Sequence, residues 1–220
     1  VIGAGLIGRE HCDLLLAHPG VELVGVAEIS NTGRQYADGI SIPYFSNYLE
    51  MLDETSADGA IIALPNALHT EAGCACISRG VACLIEKPIA DSATDAQALV
   101  NLAAEMNCVL QVGHIERFNP VLGEIEERLK DPRFIEVHRL SPFPNRSMDI
   151  GVVLDLMIHD LEIVLHLVKS KIQSIDAVGV PVLTEREDIA NARIRFDSGC
   201  VANITASRIS PEKMRKLRVF

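Results

Sequence analysis

Residues 1–8 read VIGAGLIG, an apolar segment that runs into three glycines spaced as GxGxxG. Helical hydrophobic spacing follows over 7–18, which places the glycines between a predicted strand and a predicted helix. There the first glycine permits a tight turn, the second lets the backbone approach a pyrophosphate at the helix N-terminus, and the third lets helix and strand pack closely. The segment therefore predicts a dinucleotide-binding loop. We assign to it Gly3, Gly5, Leu6, Ile7 and Gly8.

An acidic residue ends the next predicted strand, VELVGVAEI at 21–29, whose apolar run is typical of a strand covered on both faces. Glu28 follows Gly8 by about 20 residues, the separation at which a carboxylate can bind both ribose hydroxyls of an adenosine. A surface turn would also explain a lone acid, but strand, loop, helix and acid are all in register here. Because Glu28 would repel a 2′-phosphate, we expect NAD rather than NADP, a preference that Arg34 would soften if it reached the same pocket.

Strands and helices alternate up to about residue 117, which predicts a doubly wound parallel sheet. Ligands of such sheets lie beyond the carboxyl ends of the strands, and three polar clusters follow predicted strands. Each could be an ordinary polar loop, and Asn66 could simply cap a helix, but three clusters at one edge favour a site. Lys87 is the most suggestive member, because it is a cation directly after a buried strand. The clusters are LPNALH at 64–69 with Pro65, Asn66 and His69, IEKP at 85–88 with Glu86 and Lys87, and GHIERFNP at 113–120 with His114, Glu116, Arg117 and Asn119.

The pattern changes after residue 117, where long strands follow one another with few helices between them. This predicts an open, mainly antiparallel sheet in a second α/β domain. We therefore place a dinucleotide-binding domain at 1–117 and a substrate-binding and oligomerisation domain at 118–220. The chain has no starting methionine and ends inside an apparent strand, so we expect residues to be missing at both ends. The predicted elements of the second domain are helices over 119–130 and 151–168 and strands over 133–143, 172–182, 189–196, 200–208 and 215–220.

The second of these helices contains VLDLMIHDLEIV at 153–164, whose apolar spacing is that of a helix buried on one side. Asp155 and His159 stand four residues apart and therefore share a face. Burying a carboxylate and an imidazole is costly unless they are paired or used. The pair could simply pin the helix in its core. We favour a chemical role, because a purely structural pair would have to coincide with Lys87 by chance.

The composition argues against several partners and cofactors. The formal net charge is −10, and no basic stripe with interleaved aromatic residues occurs, so neither nucleic acid nor a membrane surface is an expected partner. Six cysteines are scattered without a CxxC pair, which predicts no metal site and fits a reducing compartment. No apolar run approaches the ~20 residues of a membrane span, so we expect a cytoplasmic protein.

Taken together, these motifs resemble the Gfo/Idh/MocA family of oxidoreductases over the whole chain. The resemblance implies a Rossmann domain with a doubly wound parallel sheet, followed by an α/β domain with an open, mainly antiparallel sheet. It implies hydride transfer between a nicotinamide and a sugar or polyol carbinol, with Lys87, Asp155 and His159 as the catalytic residues. It also implies a cis Lys87–Pro88 peptide. The motifs are GxGxxG at 3–8, PN and His within 65–69, EKP at 86–88, RFNP at 117–120 and DxxxHD at 155–160. The implied cofactor contacts beyond the glycine loop are Glu28, Pro65, Asn66, His69, Glu86 and Lys87.

Within the family, 113–120 and 139–168 resemble the nucleotide-sugar branch. Most specifically they are similar to the enzymes of that branch that oxidise C3 of UDP-N-acetylglucosamine, often for lipid A or surface polysaccharide synthesis. We therefore expect a UDP-sugar substrate, with Arg139 and Arg146 holding its diphosphate, although either arginine could instead pair with a neighbouring acid. The alternatives are a free-sugar or inositol dehydrogenase and a non-catalytic dinucleotide-binding sensor. We also expect a homodimer or homotetramer formed through the C-terminal sheet. The expected substrate contacts are Lys87, His114, Arg117, Asn119, Arg139, Arg146, Asp155 and His159.

Overall fold

The computed structural model describes residues 1–143 and 150–220, and the chain divides into two compact units, Val1–Gly113 and His114–Phe220. The boundary predicted after residue 117 lies a few residues beyond this division. None of the helices in the described part of the chain is long and apolar enough to cross a membrane.

The first unit contains a parallel sheet that agrees with the predicted doubly wound arrangement. Two groups of strands, β1–β2 and β3–β4–β5, lie on either side of Ile2, which forms parallel bridges to both Ala27 and Ile62. The segment before the glycine loop therefore lies at the centre of the sheet, which is the strand order of dinucleotide-binding folds. The strands are β1 (Val26–Ala27), β2 (Tyr44–Phe45), β3 (Gly59–Ile62), β4 (Ala82–Ile85) and β5 (Leu110–Val112).

Three of the five helices of this unit begin where the sequence supplies a side-chain cap. Ser30, Asn47 and Ser92 each accept a hydrogen bond from a backbone N–H in the first turn of the helix that follows. The other two are α1, which follows the glycine loop, and α4, and neither has a side-chain cap. The helices are α1 (Leu6–Ala17), α2 (Asn31–Gly39), α3 (Tyr48–Thr55), α4 (His69–Ile77) and α5 (Ala93–Glu105).

The second unit contains a five-stranded sheet in the order β10-β6-β9-β8-β7. Every neighbouring pair is antiparallel except β6 and β9, so the prediction of a mainly antiparallel sheet is confirmed. Residues along β6 and β8 alternate between buried and more exposed, as expected for a sheet with one face on a core. The strands are β6 (Phe134–Leu140), β7 (Ile172–Val180), β8 (Ile189–Phe196), β9 (Val201–Ser207) and β10 (Met214–Val219), and the helices are α6 (Pro120–Arg128) and α7 (Ile158–Val168).

The helix predicted over 151–168 is not a regular α-helix throughout. A π-helical turn covers Val153–Met157, and α7 continues from Ile158. Val152, Met157 and Val164 pack with the buried face of the sheet in one hydrophobic core. A π turn inside a helix is uncommon and is frequently found at functional sites, and this one contains Asp155.

Candidate functional site

The glycine loop has a backbone geometry that only glycine accommodates at two of its positions. Gly3 has φ +94°, and a Cβ there would lie 2.5 Å from the Ala63 carbonyl oxygen. A Cβ on Gly8 would overlap the Gly3 carbonyl oxygen. Any larger side chain at either position would therefore move the first turn of α1 away from the sheet.

The N-terminus of α1 can accept an anion. Gly5 is its N-cap, no side chain caps the first turn, and that turn contains no acidic residue. A Cβ on Gly5 would meet nothing within 4 Å, and Leu6 and Ile7 are exposed. Uncapped N–H groups at the positive end of a helix dipole favour phosphate oxygens. The residues present therefore fit the pyrophosphate of a dinucleotide.

Glu28 joins the end of β1 to the glycine loop. Its Oε2 accepts a hydrogen bond from the Ala4 N–H at 2.8 Å, and its Oε1 accepts from Ile29 at 2.8 Å and Ser30 at 3.1 Å. Burial alone would raise the pKa of Glu28, but these three backbone donors outweigh it and hold the pKa below its usual value. Glu28 is thus a carboxylate at neutral pH, next to the loop where an adenosine ribose would lie.

Arg34 does not bond to Glu28 in the described contacts. Its guanidinium carbon lies 5.7 Å from the centre of the Tyr44 ring, and the Tyr44 hydroxyl donates to the Glu28 carbonyl oxygen at 2.7 Å. The cation therefore lies on the aromatic face of a residue whose hydroxyl bonds to the Glu28 backbone.

The buried side chain of His69 supports the turns that follow β3 and β4. It is 1% exposed, and its Nδ1 and Nε2 lie 2.8 Å from the carbonyl oxygens of Pro88 and Leu64 respectively. The ring thereby links the segments that follow β3 and β4, including the turn that carries Lys87. Both ring nitrogens therefore have intramolecular partners, and the expected contact of His69 with the cofactor stays a prediction. The Lys87–Pro88 peptide is cis, as expected.

Glu86 has a partner that the sequence analysis did not select. His11, on α1, lies with its Nε2 2.8 Å from Glu86 Oε1, and both side chains are 17% exposed. Burial alone would raise the pKa of Glu86, but His11 and both the backbone N–H and the ammonium of Lys87 lower it overall. The pair thus connects the helix that begins at the glycine loop with the EKP turn. A histidine three residues after the last glycine was the available signal.

The second unit holds the other two residues expected to be catalytic. Asp155 is 8% exposed in the π turn, and its N–H donates to the Gly151 carbonyl at 3.1 Å. His159 lies in the first turn of α7 and is half-buried. Burial alone would raise the pKa of the nearby Glu116, but Arg139 first, then Arg215 and His159, lower it overall. The imidazole therefore lies among several charged groups of this unit.

The start of the π turn is fixed by a loop that the sequence analysis missed. The Val152 N–H donates to the Glu187 carbonyl at 2.9 Å, and the Val153 N–H donates to Glu187 Oε1 at 3.3 Å. Next to it, the fully buried Arg208 donates to Asp188 Oδ1 at 2.8 Å and to the Ile150 carbonyl at 2.9 Å. Burial alone would raise the pKa of Asp188, but backbone N–H donors and Arg208 lower it far more. This network holds the chain that enters the Asp155 turn.

The expected diphosphate contact of Arg139 is not supported. Its Nε and Nη2 each donate to the Asp160 carboxylate at 2.8 Å, its Nη1 lies 3.2 Å from Glu116 Oε1, and it is 7% exposed. A guanidinium fork suits carboxylate as well as phosphate, and here the carboxylates occupy it. Arg146 lies outside the described residues.

Two further expected substrate contacts also have intramolecular partners. Arg117 forms an ion pair with Glu162, and the Asn119 side chain accepts from the Val121 N–H at 3.1 Å as the cap of α6. His114 lies half-buried just before the short 3₁₀ turn Ile115–Phe118. Arg117 remains partly exposed, with 42% of its side chain accessible. Among the residues that the structure describes, no group of three or more His, Cys, Asp or Glu side chains could hold a metal ion.

Comparison with known proteins agrees with this geometry. The oxidoreductase family with an NAD-binding Rossmann fold matches residues 1–114, and the GFO/IDH/MocA C-terminal domain matches residues 126–220. UDP-N-acetylglucosamine 3-dehydrogenase of Acidithiobacillus ferrooxidans is 36% identical over the whole chain, which spans 70% of that protein. The NAD⁺-dependent scyllo-inositol 2-dehydrogenase of Bacillus subtilis is 28% identical over 96% of the chain and 67% of its own length.

Solved structures agree as well. The structure of the Acidithiobacillus ferrooxidans enzyme covers the whole chain with a TM-score of 0.92, and the chain covers 72% of it. An NAD-binding protein from Listeria innocua, 24% identical, matches the whole chain and 69% of its own length with a TM-score of 0.91, which shows the fold alone. The chain belongs to the Gfo/Idh/MocA family of oxidoreductases, which act on CH–OH groups and carry an NAD(P)-binding Rossmann domain.

Proposed function

We propose that this protein oxidises a hydroxyl of a UDP-sugar to a ketone with NAD, at C3 of a UDP-N-acetyl-hexosamine. The observation that carries the proposal is 36% identity over the whole chain to a UDP-N-acetylglucosamine 3-dehydrogenase. Such a 3-keto sugar would serve lipid A or surface polysaccharide precursor synthesis, and we propose that the reaction takes place in the cytoplasm. The family assignment favours an enzyme over a non-catalytic sensor.

We propose that His159 accepts the hydroxyl proton as hydride leaves the same carbon. A bound nicotinamide supplies the hydride acceptor. Histidine has a reference pKa of about 6.5, so it can accept and return a proton near neutrality. We propose that Lys87 donates a hydrogen bond to the same oxygen and stabilises its developing negative charge, while Asp155 polarises the site beside His159. The buried Asp155 and the half-buried His159, both near the π turn, support this proposal.

A substrate panel tests the proposed substrate class. Full-length protein with NAD should reduce the cofactor with UDP-N-acetylglucosamine and related UDP-sugars, measured as nicotinamide absorbance with an aminotransferase present to remove the ketone. Free N-acetylglucosamine and inositol should be much poorer substrates, because they lack the diphosphate. If free inositol were oxidised as efficiently as the UDP-sugars, the alternative of an inositol dehydrogenase would be established. The observation behind that alternative is the 28% identity to a scyllo-inositol 2-dehydrogenase.

We propose that Glu28 makes the enzyme prefer NAD. Its carboxylate is ionised and fixed beside Ala4, so it would accept from a 2′-hydroxyl and repel a 2′-phosphate. We expect NADH to bind at least about tenfold more tightly than NADPH, a difference of ~1.4 kcal/mol, as measured by nicotinamide fluorescence titration. Equal dissociation constants would contradict the role of Glu28 and would suggest that Arg34 neutralises it.

We also propose a homodimer or homotetramer formed through the sheet of the second unit. Support comes from β7, which is exposed along its whole length and presents Ile172, Ile175 and Val178 to solvent. Exposed apolar strands of this kind are commonly covered by another chain. Light scattering of the full-length protein measures the oligomeric state directly.

A further inference from the structure

Gly33 lies against the side chain of Glu28, the acid that we propose sets the preference for NAD over NADP. Gly33 lies in the first turn of α2, and its N–H donates to the Ser30 side chain at 3.2 Å. A Cβ built on Gly33 would overlap Glu28 Cγ and would lie 2.8 Å from Glu28 Cβ and 3.2 Å from Cδ. The side chain of Glu28 therefore occupies the space that any other residue at position 33 would fill.

The overlap falls on the stem of Glu28, close to its backbone. A flexible side-chain end could move away at little cost, but Cβ is fixed by the backbone and Cγ moves only if χ1 changes. A change in χ1 swings the carboxylate away from the Ala4 N–H, so the glycine loop loses its hydrogen bond to the Glu28 side chain. The position of the acid beside the loop thus depends on the absence of a side chain at residue 33.

We propose that Gly33 is a specificity-determining residue of the dinucleotide site, because it leaves the space in which Glu28 folds back onto the glycine loop. This inference deepens the proposed function and rests on it for the direction of cofactor choice. A side chain at position 33 displaces the carboxylate, weakens the binding of the 2′-hydroxyl cofactor and removes the repulsion of a 2′-phosphate. The ratio of NADPH to NADH dissociation constants then falls.

A double-mutant cycle in the full-length protein isolates the contact between residue 33 and the Glu28 side chain. Gly33→Ala should weaken NADH binding by about tenfold, the size expected for a lost hydrogen bond to a charged group. In the Glu28→Gly background, where Cβ, Cγ and Cδ are absent, the same change should alter the NADH dissociation constant less than about twofold. An equal loss in both backgrounds would overturn the proposal.

A matched control lies in the same helix. Gly39 ends α2, and a Cβ there would meet nothing within 4 Å, so Gly39→Ala should leave both cofactor affinities unchanged. If Gly33→Ala does not fold, folding restored by Glu28→Gly would reveal the same coupling, and a double variant that also fails to fold would overturn it. Equal NADH and NADPH binding by the unmodified protein would contradict the proposed NAD preference and the direction of specificity that rests on it, whereas the contact between Gly33 and Glu28 is judged on NADH alone.

Discussion

Replacing His159 with asparagine should reduce turnover by roughly 10²–10⁴-fold, the usual contribution of a general acid–base group. Asparagine is similar in size and polar, but it has no group that accepts a proton near neutral pH. The binding of NADH should not change, because the cofactor contacts that we assign lie in the first unit. Single-turnover hydride transfer, followed by nicotinamide absorbance across pH 5–9, measures the loss and should show that the acidic limb of the wild-type profile disappears.

The chain offers a control on the same helix. His166 lies in the last turn of α7, with its Nε2 2.6 Å from Glu126 Oε1, and no catalytic role is assigned to it. His166→Asn should leave turnover within about twofold of the wild type, whereas Lys87→Met should reproduce the loss seen at position 159. If His159→Asn kept the wild-type rate and pH profile, or unfolded the protein while His166→Asn did not, the histidine would be structural.

Much of the dinucleotide site could be predicted because its signals are local. The glycines between a strand and a helix, and the acid that follows at a fixed distance, depend on backbone geometry within about thirty residues, and sequence spacing reports such geometry well. The β/α alternation and the later run of strands likewise reflect patterns within each element. The order of the strands in the second sheet did not follow from them, because pairing partners far apart in sequence leave no local mark.

What the sequence could not reveal depends on contacts between distant residues. His11 and Glu86 are 75 residues apart, and the sequence around a polar residue on a helix does not indicate which distant side chain it contacts. The π turn was missed because apolar spacing over one turn is nearly the same for a π turn and an α-helix. For Arg139 the sequence left both a diphosphate and a neighbouring acid open, because a guanidinium fork suits phosphate and carboxylate alike, and only the structure places Asp160 against it.

Replacing Arg208 with methionine should open the loop that fixes the start of the π turn. Arg208 and Asp188 are both 0% exposed, and removing one partner of a buried ion pair costs about 3–5 kcal/mol. Arg208 also donates to Thr184 Oγ1 at 2.9 Å, so the loop over 181–188, between β7 and β8, loses two anchors. In full-length protein, amide exchange of that segment should accelerate by roughly 10²–10⁴-fold, since each 1.4 kcal/mol is tenfold.

The same substitution at an exposed arginine separates this effect from a general loss of charge. Arg218, on β10, lies 3.2 Å from Glu136 with half of its side chain accessible, and exposed pairs contribute about 0–1 kcal/mol. Arg218→Met should therefore leave exchange of the 181–188 loop nearly unchanged. Exchange of that segment within about threefold of the wild type in Arg208→Met would show that the buried pair does not hold the loop. If the faster exchange in Arg208→Met is accompanied by lower turnover, the loop also helps to position Asp155. The link would be the Ile150 carbonyl, which Arg208 binds and which lies just before the π turn that contains Asp155.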